Sequence, residues 1–200
     1  MSHLTTEPHL AQAVASISTA YSPLTDACKA DMMAMARLLH IEKGKLLVKE
    51  GQYSDKGYFI INGCFRAYYL KDGKDITDWF AFENDFISSI NSFFLGIPSP
   101  HFIEVLEDAC ALEISRDRVQ YLRDTYHDFE RLTSVVMTKT MLQLQQRVVS
   151  LQFETAQQKY DNLITLNPHI TQRVPLMHIA SYLGITFETL SRIRNPKNRI

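Results

Sequence analysis

Apolar and polar positions alternate in three distinct ways along this chain. Residues 9–20, HLAQAVASISTA, carry a helical spacing that Ser22-Pro23 interrupts. Thr25-Asp26 then opens a second predicted helix, running through ACKADMMAMARLLH to His40. Between Leu46 and Ile114 the runs become short and rich in aromatic and β-branched residues: KLLVKE, YFIING, FRAYYL, ITDWFAF, FIEVLE and ALEIS. Gly44, Gly51, Gly57, Gly63 and Gly73 punctuate them at turn spacing, which predicts an all-β barrel or roll. Lys71-Asp72-Gly73 is a hairpin turn, and Gly96 with Pro98-Ser99-Pro100 marks a later loop. After Ser115 the helical period returns, with helices predicted over 115–123, 128–151, 155–166, 176–183 and 187–194.

The long helix carries two apolar stripes. Met137, Met141, Leu144, Val148 and Leu151 alternate spacings of four and three, a heptad seam. Val135, Leu142 and Val149 lie on a neighbouring face. One stripe packing on the chain's own β domain while the seam meets a partner would give a dimer; one wide core-facing surface is the alternative.

The last two helices carry the chemistry. Leu176, Ile179, Ala180 and Leu183 form the apolar side of a short helix, and Gly184 stands where the chain must turn. Thr186 offers an N-cap oxygen, and the next helix exposes Glu188, Thr189, Ser191, Arg192 and Arg194 while burying Leu190 and Ile193. A structural helical hairpin could share this pattern, but so arranged a second helix suits the major groove of DNA. Thr186 can also donate to a phosphate, Glu188 can accept from a cytosine amino group, and Arg192 can present a fork to guanine. Arg194, Lys197 and Arg199 suit phosphates. Charge supports this reading. The whole chain has a net charge of −1, yet from Ile170 onward Arg173, Arg192, Arg194, Lys197 and Arg199 face Glu188 alone, leaving the body acidic.

Composition excludes other classes. At 46% hydrophobic and 22% charged, with no apolar run near the roughly 20 residues of a membrane span, the chain reads as soluble. MSHLTTEPHL lacks the pattern of a secretory leader, so a cytoplasmic location and no membrane partner are expected. Cys28, Cys64 and Cys110 stand singly and read as small apolar residues, not as a disulfide or metal framework. His3, His9 and His40 are isolated and read as surface or cap residues, not haem ligands. There is no H-x-H pair, P-loop, nucleophile elbow or GxGxxG, so neither a metal site nor an enzyme is expected.

Taken together, KLLVKEGQYSDKGYFIINGCFRAYYLKDGK, FENDFISSINSFF and HIASYLGITFETLSRI resemble the β-roll opening, the nucleotide-phosphate cassette and the E-T-x-x-R helix-turn-helix of the Crp/Fnr family. The resemblance runs from about Leu24 to Pro196. It implies an α+β fold: a double-stranded β-roll like that of cyclic-nucleotide-binding domains, a dimerisation helix, and a helix-turn-helix of winged type. The corresponding divisions are 1–127, 128–153 and 154–200. With the sequence reaching only Ile200, a truncated wing is expected. The implied function is a homodimeric transcription regulator acting on double-stranded DNA, with RNA polymerase as a further partner. A roll-based signalling or ligand-binding module without DNA binding is the alternative. The implied ligand-pocket positions are Phe86, Ser88, Ser89, Ile90, His101 and Phe102. Ser88 and Ser89 stand where nucleotide-responsive members have Gly-Glu, and His101-Phe102 where they have Arg followed by Ser or Thr. Cyclic AMP is therefore not expected to bind in the usual way. No cofactor is expected beyond an unidentified small-molecule effector. Phe187 takes the place of a base-reading Arg, so base preference should differ.

Overall fold

The computed structural model describes residues 6–195. Two helices, α1 (Thr6–Ala20) and α2 (Asp26–Met35), precede a β unit of β1 (Arg37–Ile41), β2 (Leu46–Val48), β3 (Lys56–Asn62), β4 (Phe65–Lys71), β5 (Lys74–Ala81) and β6 (Phe86–Ser88). The short helix α3 (Ile90–Leu95) leads to β7 (Phe102–Val105) and β8 (Ala109–Ser115). The remaining elements are helical: α4 (Arg116–Thr125), α5 (His127–Phe153), α6 (Ala156–Leu166), α7 (Ile170–Arg173), α8 (Leu176–Leu183) and α9 (Phe187–Arg194).

The strands form two antiparallel four-stranded sheets, β1-β8-β3-β6 and β2-β7-β4-β5. Strand alternation sends Tyr58, Ile60, Phe65, Ala67, Ile103, Val105 and Ala111 into the layer between them. The opposite face of the first sheet, through Phe59, Leu112 and Ile114, is covered by α1, α2, α4 and the start of α5. This is the expected roll of an α+β chain. Its beginning differs from the sequence expectation. The second helix stops at Met35, and Arg37–Ile41 pairs in full with β8. ARLLH has adequate helix propensity, but pairing with a distant strand outweighs it.

Two local features set the geometry of the roll. Gly63 has φ 111°, and a Cβ there would lie 2.5 Å from Ala109 Cβ, so β3 and β4 can be joined tightly against β8 only by glycine. In the β4–β5 hairpin, Ala67 pairs with Trp79 but Tyr68 pairs with Thr77, leaving Asp78 as the extra residue of a bulge.

A third core is shared between the roll and the C-terminal helices. Cys64, Phe80 and Leu106 join Tyr160, Leu163, Ile170, Val174, Ile179, Ala180, Leu183 and Leu190. Burial pushes the Cys64 thiol up to about 12, as it does Cys28. These two cysteines are apolar filler at neutral pH.

Gly63→Ala should lower stability by about 3 kcal/mol, combining left-handed strain with the clash at Ala109. Urea unfolding checks this, and an unchanged midpoint would show that the β3–β4 connection yields freely.

Candidate nucleic-acid interface

Helices α8 and α9 are joined by Gly184 at φ 66°, whose backbone N–H donates to Ala180 and Ser181 carbonyls. Thr186 caps α9 by accepting from the Thr189 N–H at 3.1 Å. The Glu188 carboxyl sits below its ordinary value through hydrogen bonds with its own backbone and with Thr186, so it is ionised beside the positive end of the helix. Ile179, Ala180 and Leu183 from α8 and Leu190 from α9 are buried in the shared core. Phe187, Glu188, Ser191 and Arg192 are exposed, Thr189 and Arg194 half-buried. One continuous outer face of α9 therefore presents an aromatic ring, a carboxylate, hydroxyls and guanidinium groups. Lys197 and Arg199 lie outside the described residues.

This helix pair is docked on the roll, with α8 against β5. Arg66 of β4, 3% exposed, donates from Nη1 to His178 Nδ1 of α8 at 2.6 Å and from Nη2 to Glu104 at 2.7 Å and Asp75 at 3.2 Å. Arginine has no acceptor, so Nδ1 must accept, which leaves His178 neutral with its proton on Nε2. Burial first, then the Arg66 charge, hold His178 below the ordinary imidazole range against the opposing pull of Asp75 and Glu104. One helical turn on, Ser181 Oγ accepts from the Thr77 N–H at 2.9 Å and donates to the Asp75 carbonyl at 3.1 Å. From α5, Arg147 donates to the carbonyls of Tyr182 and Thr77 at 3.1 and 3.3 Å and lies 4.0 Å over the Tyr182 ring. Arg173, which the sequence groups with the positive tail, instead pairs with Glu83 and Glu107 of the roll. It adds nothing to an anion-binding surface.

Among the pocket positions, the structure brings Ser89 and His101 together. The Ser89 hydroxyl donates to Ser99 Oγ at 2.8 Å, and Ser99 donates in turn to the His101 carbonyl at 2.7 Å. All three residues are buried, and burial lowers the His101 pKa, keeping the ring neutral. This cluster contains no cation. Ser88 is half-buried, Ile90 is exposed, Phe86 packs against Phe59 and Tyr21, and Phe102 stacks on Tyr68. Sequence reasoning missed Ser99, although its Pro-Ser-Pro setting signals a fixed loop.

Along α5, Phe129 and Leu132 are buried and Val136 packs beside them, fixing the first turns against the roll. The seam residues Met137, Met141, Leu144, Val148 and Leu151 are all exposed, Met141 most at 62%. Val135, Leu142 and Val149 are exposed as well, so neither stripe packs on the β domain. Contact there is made by Lys139 and Arg147 with the roll carboxylates Asp85 and Asp78. Leu151 also abuts the turn between α8 and α9, where a Cβ on Gly184 would come within 3.4 Å of it. Among the described residues no cluster of His, Cys, Asp or Glu could hold a metal ion. No helix there is long and apolar enough to cross a membrane.

Residues 38–126 match the sequence profile of the cyclic nucleotide-binding domain. A search of curated protein sequences finds no match. Solved structures similar to the whole fold include FixK2 from Bradyrhizobium japonicum, at TM-score 0.66 and 18% identity, covering 80% of this chain and 82% of that one. The global regulator CLP from Xanthomonas campestris gives TM-score 0.64 at 15% identity, covering 84% and 89% of the two chains. A Crp/Fnr-family transcriptional regulator from Eubacterium rectale gives 0.65 at 18% identity, covering 85% and 82%. The chain thus joins a cyclic nucleotide-binding domain to a long helix and a helix-turn-helix. Its fold as a whole is like that of these solved structures.

The docked state should depend on pH through His178. Its pKa is lowered by docking, so its contribution is full above the ordinary imidazole value of about 6.5 and is lost as pH falls through the depressed one. Amide-exchange protection of the Thr77 N–H should drop as the pH falls below about 6.5. His178→Asn, which keeps an acceptor but does not titrate, should flatten that profile; a drop that persists would assign the effect to another group, with His101 first in line.

Proposed function

We propose that this chain is a homodimeric, sequence-specific DNA-binding regulator of transcription. In this reading the roll controls the two recognition helices without holding cyclic AMP in the usual way. One observation carries it: the outer face of α9 is polar, cationic and open, on a helix pair whose inner face is fully committed to the core. The similar folds of FixK2, CLP and the Eubacterium rectale regulator support this choice.

Within α9, Arg192 and Glu188 are assigned to base edges, with Thr189 and Ser191 beside them. Thr186, Arg194, Lys197 and Arg199 are assigned to phosphates. The ring of Phe187, 46% exposed at the first helical position, suits a thymine methyl group. Dimerisation through α5 is supported by the exposed seam from Met137 to Leu151, a contiguous apolar strip that a lone soluble helix would not keep in water. Two recognition helices would then address half-sites about 34 Å apart. Contact with RNA polymerase belongs to the same reading. For the roll, the neutral Ser89–Ser99–His101 chain supports a pocket without the charge-assisted phosphate contact.

Selection from random duplexes tests the function, and a discrete enriched sequence is expected. No enrichment at low salt would favour a roll-based signalling module. Arg192→Ala should relax base choice at one position and cost about 1–3 kcal/mol. Arg194→Ala should weaken all sequences alike and flatten the salt dependence. Identical behaviour of the two would refute the division between base and phosphate contacts. Leu144→Asp with Val148→Asp should give monomers in sedimentation; an intact dimer would remove the seam from the interface.

A further inference from the structure

We infer that Arg66 is a positioning residue for DNA recognition, fixing the direction of α9 from inside the sensor domain by holding α8 through His178. The inference rests on the DNA-binding reading above and goes beyond it, because Arg66 lies on a roll strand and has no place on the face offered to DNA.

Helix α9 has little freedom relative to α8, since Ile179, Leu183 and Leu190 share one core and the turn between them is a single left-handed glycine with a capped start. What aims α9 is therefore what holds α8. Two α8 side chains three residues apart, His178 and Ser181, share one face and both engage the β4–β5 hairpin. Arg66 stands at the centre of that contact. It holds the hairpin to itself through Thr77 and Asp75, joins it to β7 through Glu104, and reaches across to α8 through His178. Its guanidinium also lies 4.1 Å over the Tyr68 ring, which fixes the plane of the fork. With Arg147 clamping Tyr182 from α5, α8 is held against the roll on one side and the long helix on the other. A change in the roll that shifts β4 or β5 would thus reach α8 directly, as well as along the chain from α5 to α6. If α5 joins two copies, the docking of α8 sets the distance and rotation between the two α9 helices, and hence the half-site spacing each dimer accepts.

Arg66→Met in the full chain tests this with two independent readouts. Without DNA, the Thr77 N–H, which is bonded to α8, should lose at least about ten-fold of its exchange protection, while the β4–β7 ladder keeps its own. With DNA, the half-site selected by the wild type is presented in pairs at varied spacing. The wild type should accept a narrow range, and the variant a broad one with the half-site sequence unchanged. A merely structural role would change stability without widening spacing. Unchanged Thr77 protection, or a spacing range as narrow as the wild type's, would overturn the inference. Should Arg66→Met fail to fold, His178→Leu decides by the same criteria, because it removes the α8 acceptor while leaving Arg66 its carboxylates. If the wild type enriches no duplex, the DNA-binding reading fails, and the exchange measurement still decides whether Arg66 holds α8.

Discussion

The C-terminal helices close their core on the roll, and this constraint shapes the rest of the molecule. From α6 to α9 there are roughly forty residues, near the lower limit for an independent apolar core. They complete one by enclosing Phe80, Leu106 and Cys64 of the roll. Full burial of a side chain such as Phe80 or Leu106 is worth about 1.5–3 kcal/mol, so separating the helices from the roll would expose surface that neither part can cover alone. The roll and the helix-turn-helix are consequently one packed body, and any motion between them is a repacking.

Polar contacts at that junction give direction where the apolar core gives strength. Dispersion and burial tolerate small rotations of α8, whereas a buried guanidinium with partners on three elements does not. The arginines divide accordingly. Arg66, Arg147 and Arg173 face carboxylates and carbonyls inside the molecule, while Arg192 faces outward. Net charge along the chain does not reveal this division, since Arg173 counts toward the basic C-terminal stretch yet neutralises Glu83 and Glu107.

Much of the architecture was legible in the sequence because it rests on local rules. The alternating aromatic runs became the strands of the roll, and Gly184 with Thr186 formed the turn and cap that their residue types suggest. Features that depend on distant partners were not legible. RLLHI reads as the end of a helix until β8 is available to pair with it. Arg66, between buried Phe65 and Ala67, reads as the solvent-facing member of an alternating strand, and only the arrival of α8 on that face buries it. The two α5 stripes were visible as periodicity, but periodicity does not say that Lys139 and Arg147, on a face between them, would make the contacts to the roll. The cassette substitutions could be read from residue types; the closure of Ser89 onto Ser99 and His101 needed the fold.

The bulge in the β4–β5 hairpin decides which side chains greet α8. Strand side chains obey a parity of two, and the surplus residue Asp78 reverses that parity along the lower half of β5. With it, Asp75 and Thr77 stand on the outer surface beside Arg66. Were the bulge ironed out with Asp78 kept in the ladder, Tyr68 would pair with Asp78, Asp75 and Thr77 would swing toward the interior, and Ile76 would take their side. Arg66 would then lose its Thr77 and Asp75 side-chain partners beside the helix-turn-helix. One looped-out residue thus sets which side chains of the hairpin face the helix-turn-helix.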